Sequence, residues 1–203
     1  MTGHGTPGDG PFARGYVHVI EVASGISSVD FDEVRQRIVS VRWSPDGRFI
    51  AGLNLGDFGE VVIWQASSGA LVRRISEAEE TTDGISTFLV GSIYDFGWSP
   101  DSSTIAAFTS LKIAFWNVDP FYRKMRSEYV FATDAIDWSP DGQRIVAVSA
   151  DQAAIQFVDP HTGKIVGTIP TDDRVRAVAW SPDGKQITLG GDTLTVIPVI
   201  DAG

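Results

Sequence analysis

The sequence predicts an all-β fold assembled from about four similar units, each made of four short antiparallel strands. Three observations lead there. Apolar stretches are brief and often alternate with polar residues, in a chain that is 43% hydrophobic with 21 glycines and 10 prolines to punctuate it. One pentapeptide recurs four times, as Trp43-Ser44-Pro45-Asp46-Gly47, Trp98-Ser99-Pro100-Asp101-Ser102, Trp138-Ser139-Pro140-Asp141-Gly142 and Trp180-Ser181-Pro182-Asp183-Gly184. The intervals between the tryptophans are 55, 40 and 42 residues, close to the period of about 40 to 45 expected of a four-stranded repeat and longer than those of leucine-rich, ankyrin and tetratricopeptide repeats.

A run such as Val39 to Trp43 or Ile93 to Trp98 forms the first strand. Ser-Pro-Asp-Gly then makes a tight turn, because proline presets the φ of the second turn position and glycine accepts positive φ on exit. The apolar run beyond it, Phe49 to Leu53 in one copy and Arg144 to Val148 in another, is the second strand. A third follows at Glu60 to Trp64, Lys112 to Trp116, Ala154 to Val158 and Thr193 to Ile197. Turns at 66–69, 117–121 and 159–163 lead to fourth strands at Ala70 to Ile75, Ser127 to Phe131 and Lys164 to Ile169. Units of about 38–76, 92–131, 133–170 and 174–200 result, in a single domain over 15–203 preceded by a flexible tail at 1–14.

The ends do not match this frame. Tyr16 to Val22 followed by Ala23-Ser24-Gly25 aligns with a third strand and its turn, Ile26 to Asp30 with a fourth, while the last unit stops after three strands. Three arrangements accommodate this: part of a larger ring, a small four-unit ring closed by residues 16–22 as its missing outer strand, or two copies associating through open edges.

These units resemble the blades of WD-repeat β-propellers over about residues 15 to 200. Trp64, Trp116 and Phe157 stand where that family has the tryptophan of its third strand, and Trp43, Trp98, Trp138 and Trp180 mark the repeat. Departures are visible. No Gly-His pair opens a unit, and only Asp119 and Asp159 echo the acidic residue after the aromatic, so the family's Asp-His-Ser/Thr-Trp hydrogen-bond tetrad is incomplete. TolB-type propellers, which also repeat Ser-Pro-Asp-Gly turns, are a related resemblance. The family implies a β-propeller of about four blades plus extra N-terminal strands, an incomplete ring, acting as a non-catalytic scaffold for protein or peptide partners. The alternatives are the regulatory or substrate-gating propeller of a larger enzyme and a periplasmic adaptor.

Composition narrows the chemistry. A net charge of −10 argues against nucleic acid and anionic membrane partners, which need clustered Lys and Arg, and favours a basic or neutral one. With no cysteine there is no disulfide, thiolate metal site or cysteine nucleophile, consistent with a soluble protein of a reducing cytoplasm. Histidine occurs only at 4, 18 and 161, too scattered for a metal centre. No hydrolase elbow, phosphate-binding loop or zinc-protease helix is present. No catalytic residue, metal or cofactor is therefore expected, and the aspartates of the four turns are expected to bond local backbone.

In a propeller the loops from strand two to three and from strand four onward share one face, the family's usual binding face. Here they are 54–59, 109–111, 150–153 and 190–192, with 31–37, 77–92, 132–133 and 171–174. They carry Asp32, Glu33, Asp57, Glu77, Glu79, Glu80, Asp83, Asp151, Asp172, Asp173 and Asp192, so that face is expected to be acidic. Loop 77–92 accounts for the 55-residue interval and adds Phe88, Leu89 and Val90. The one basic cluster, Arg123, Lys124 and Arg126 with Tyr122, is expected on the opposite side as a solvated turn and strand edge.

Overall fold

A computed structural model of the chain describes residues 17–31, 37–54, 59–76, 81–82, 85–86, 92–109, 112–127, 134–149, 151–172 and 174–199. Among these residues there are strands and turns and no helix. An N-terminal hairpin pairs β1 (His18–Ile20) with β2 (Ser27–Asp30). Blade 1 follows as β3 (Ile38–Trp43), β4 (Phe49–Asn54), β5 (Glu60–Gln65) and β6 (Leu71–Ile75). A small pair, β7 (Thr81–Thr82) and β8 (Ile85–Ser86), lies in the long interval before blade 2. Blade 2 comprises β9 (Asp95–Trp98), β10 (Thr104–Thr109), β11 (Lys112–Val118) and β12 (Phe121–Arg126). Blade 3 comprises β13 (Ala135–Trp138), β14 (Ile145–Ser149), β15 (Ala154–Val158) and β16 (Ile165–Pro170). Blade 4 has β17 (Val175–Trp180), β18 (Gln186–Gly191) and β19 (Leu194–Pro198).

Every blade is an antiparallel meander in chain order. The middle strands β4, β10 and β14 are buried along their whole length, because each is flanked by strands within its sheet and by neighbouring structure on both faces. Three clusters of buried residues join successive blades, and a fourth joins the N-terminal hairpin to blade 1 through Val17 on Ile50, Val62 and Trp64. The core is thus a series of face-to-face interfaces, as in a propeller.

Two expectations are corrected. The fourth strand of blade 2 is Phe121–Arg126 and not Ser127 to Phe131, since the chain reverses within Asp119-Pro120, where Asn117 Nδ2 donates to the Pro120 carbonyl. Residues 128–131 lie outside the described set. Closure by residues 16–22 as the outer strand of blade 4 is likewise not what forms: β1 pairs with β2, and among the described residues the sheet of blade 4 contains β17, β18 and β19. The described blades form an open series, consistent with an incomplete ring.

Candidate functional site: the blade seams and the two loop faces

Each seam is made by a first-strand tryptophan reaching back to the preceding blade. Trp98 stacks on Phe49 with ring centroids 6.2 Å apart and 11° between planes, and its Nε1 donates to the Arg42 carbonyl at 3.3 Å. Trp138 meets Phe115 edge-on at 6.3 Å, and Trp180 meets Phe157 at the same distance. Offset and edge-on geometries place the positive rim of one ring near the negative face of another. Trp43 has no such aromatic among the described residues and is 53% exposed, against 7% for Trp98. Trp64 and Trp116, on third strands, are buried in the clusters that join blade 1 to the N-terminal hairpin and blade 2 to blade 1.

A charged seam lies beside the aromatic one. Arg42 on β3 donates through Nη2 to Asp95 Oδ1 at 2.9 Å and through Nη1 to the Phe96 carbonyl, with its guanidinium 5.2 Å from the Phe96 ring centroid. The other oxygen of Asp95 accepts the Ile136 amide at 2.9 Å, so one carboxylate ties blades 1, 2 and 3. Asp137 repeats the device one blade on, accepting the Trp180 amide at 2.8 Å. Burial pushes both carboxyls above the usual range, and these hydrogen bonds pull in the opposite direction. Sequence reasoning missed this pair. Its one signal was an Asp on β9 where the corresponding positions of the other first strands are Ser40, Ala135 and Ala177.

The four Ser-Pro-Asp turns are built alike. In each, the serine hydroxyl donates to the aspartate two residues on, at 2.6 to 2.7 Å, and accepts the amide that begins the second strand. Glycine closes three of the turns at φ near 72°, and Ser102 takes φ 62° in the fourth. The Ser44 hydroxyl, with the Arg48 amide and guanidinium, holds Asp46 down to about 2. Asp141 and Asp183 are lowered in the same way, first by Ser139 and Ser181. These carboxylates are consumed by local bonding, which leaves them poorly suited to acid–base or metal chemistry.

A prediction follows for the turns. Ser139→Ala removes the acceptor of the half-buried Arg144 amide and the donor to Asp141, and should destabilise by about 1–2 kcal/mol. Because Asp46, Asp141 and Asp183 have lowered folded pKa values, their contribution is present above the ordinary carboxylate value, about 3.9, and is lost as pH falls below it through the lowered values. Urea midpoints measured on wild type and Ser139→Ala between pH 5 and pH 2 check both statements; the difference between the two proteins should shrink on acidification.

On the opposite face, Asp151, Asp172 and Asp192 are exposed. Asp151 lies between β14 and β15, Asp172 between β16 and β17, and Asp192 between β18 and β19, so the meander brings all three to the same end of blades 3 and 4. Asp32, Glu33, Asp57, Glu77, Glu79, Glu80, Asp83 and Asp173 lie outside the described residues, as do Phe88, Leu89 and Val90. Arg123, Lys124 and Arg126 fall on the outer strand β12, where Tyr122 is half-exposed.

Comparison with known families adds one finding at this point. Residues 163–196 match the WD domain, G-beta repeat. The matched segment runs from the outer strand of blade 3 through β17 and β18 into β19, and together with the four-stranded antiparallel sheets it fits a WD-repeat propeller. Such repeats generally mediate protein–protein interaction. No curated protein matches the chain.

Proposed function

We propose that this chain is a non-catalytic interaction scaffold that receives a basic or neutral protein or peptide on the loop face carrying Asp151, Asp172 and Asp192. The observation behind this reading is the contrast between the two ends of the blades. At one end the aspartates of the four Ser-Pro-Asp turns are tied into local hydrogen bonds; at the other, Asp151, Asp172 and Asp192 are exposed on loops of blades 3 and 4, in a chain of net charge −10. The WD match supports an interaction scaffold in general, and the charge of the loops supports the class of partner.

Attraction between exposed charges raises association rate more than it raises stability, and it weakens with salt, the screening length falling from about 10 Å at 0.1 M to about 3 Å at 1 M. Reversing Asp151 and Asp172 to Lys should slow association of a captured basic partner about tenfold at low salt, within the range seen for steered encounters, with the melting temperature nearly unchanged. Reversing Glu21 and Asp119, which sit in turns at the other end of the blades, is the matched comparison. Stopped-flow or biosensor association rates decide: slowing by the second pair alone would place the partner on the turn side.

A further inference from the structure

The second strand of every blade opens with a residue whose amide donates to the turn serine: Phe49, Thr104, Arg144 and Gln186. In blade 1 this position fills the seam. Phe49 stacks on Trp98 of blade 2, and the guanidinium of the preceding residue, Arg48, lies 5.2 Å from the Phe49 ring centroid while its Nε donates to Asp46 Oδ2 at 2.6 Å. Blade 2 has Ser103 and Thr104 at the same two positions, so its seam with blade 3 lacks both the flat ring and the cation. A pocket of about 240 Å³ lies there, bounded by Asp101, Ser103 and Thr104 of blade 2 and by Trp138 and Asp141 of blade 3. Two polar groups at this seam are unused. Nε1 of Trp138 is buried with no acceptor among the described residues, whereas that of Trp98 has the Arg42 carbonyl. Asp141 accepts the Ser139 hydroxyl and the Gln143 amide through Oδ1, and among the described residues its Oδ2 accepts no hydrogen bond, whereas Asp46 Oδ2 has Arg48.

We propose that this pocket receives an arginine side chain of a partner protein. One guanidinium supplies both missing elements, a plane to lie against Trp138 and a charge to meet Asp101 and Asp141. The Ser139 hydroxyl and the Gln143 amide hold the Asp141 carboxyl below the usual range, so it is ionised at neutral pH. Blade 3 itself carries an arginine, Arg144, at the position of Phe49. The chain's own undescribed cations do not reach the pocket. They are Arg14 and Arg35. Arg14 is three residues from Val17, a reach of about 10 Å, and Val17 packs on the face of blade 1 turned away from blade 2. Two sheets, at about 10 Å each, stand between that face and the pocket. Arg35 is two residues from Arg37, at the loop end of blade 1, whereas the pocket is at the turn end. Asp151, Asp172 and Asp192 are likewise at the other end of the blades, so arginine binding here and partner capture by the loop face stand or fall separately.

The test titrates the blocked tripeptide acetyl-Gly-Arg-Gly-amide into the 203-residue protein while the six indole Nε1 proton signals are followed by NMR. The Trp138 signal, assigned by its loss in Trp138→Phe, should shift saturably with a Kd of about 1 mM. Replacing the arginine by its neutral isostere citrulline should weaken binding about tenfold, and so should Asp141→Asn, as expected when a charge-assisted hydrogen bond is lost. Ser103→Arg puts the residue type of blade 1 beside Asp101 and should block the peptide in a protein that still folds. Thr104→Phe, which restores the ring instead, should block it too. Asp183→Asn, on the turn of blade 4, should leave binding unchanged. The proposal is overturned if the Trp138 signal shows no saturable shift, as it would with another part of the chain already in the pocket. Equal binding of the citrulline peptide, or undiminished binding to folded Ser103→Arg, overturns it as well. So does a Trp138 signal that moves on dilution of the protein alone, which would put a second copy in the pocket.

Discussion

Trp98→Ala should cost about 3–5 kcal/mol, the usual range for deleting a large buried aromatic, and should be among the most damaging single substitutions in the chain. The side chain belongs to the cluster joining blades 1 and 2, stacks on Phe49, and donates to the Arg42 carbonyl. Its removal opens a cavity in a seam whose walls are two rigid sheets with little freedom to close it. The equivalent substitution Trp43→Ala should cost about 1 kcal/mol or less, because that ring is half-exposed and has little burial to lose. Chemical denaturation of the two variants against wild type checks the pair. Equal losses would mean that Trp43 is covered in solution by something that the described residues do not include.

Asp95→Ala is the second large effect, at about 3 kcal/mol, the lower end for breaking a buried ion pair since Arg42 keeps partial contact with water. The substitution removes the acceptor of the Ile136 amide and the charge opposite Arg42 at once, so the seams on both sides of blade 2 weaken. Asp95→Asn keeps an acceptor for the amide and should lose less. The pH dependence has a definite sign. Burial raises the folded pKa of Asp95, so its ionised form is the one disfavoured by folding, and its contribution to stability falls as pH rises from the ordinary carboxylate value, about 3.9, through the raised one. Thermal melts of wild type and Asp95→Asn between pH 4 and pH 7 should therefore lie farther apart toward the acid end, where wild type regains stability and the asparagine variant, which does not titrate, does not. A constant difference across that range would show that Asp95 does not titrate there.

Much of the fold was legible in the sequence because its signals repeat. Four copies of one turn fixed the phase of the first two strands in every blade, and the N-terminal hairpin and the three-stranded last blade followed from the same alignment. The error at β12 has a physical origin. Phe121-Tyr122-Arg123-Lys124-Met125-Arg126 carries three basic residues and reads as a polar excursion, yet outer strands have one edge unpaired and tolerate such residues. The Arg42–Asp95 pair was invisible for a different reason: the two residues sit at non-equivalent points of the repeat, one and three positions before their tryptophans, and only the stacking of blades 1 and 2 brings them together. On the acidic face the sequence indicated the loops, and the structure describes three of the eleven carboxylates, together at one end of blades 3 and 4.

The match over residues 163–196 has a consequence for how the molecule comes apart. Its borders do not coincide with a sheet: β16 belongs to blade 3 by hydrogen bonding and to the following repeat by sequence. Overlap of this kind works like roof tiles, each covalent unit pinned under its neighbour. Excising the unit at 163–196 therefore takes the outer strand from one sheet and the inner strands from the next, and both lose their ladders. Loss of order should then spread from blade to blade as a nearest-neighbour process, with the tryptophan seams setting how far each step carries.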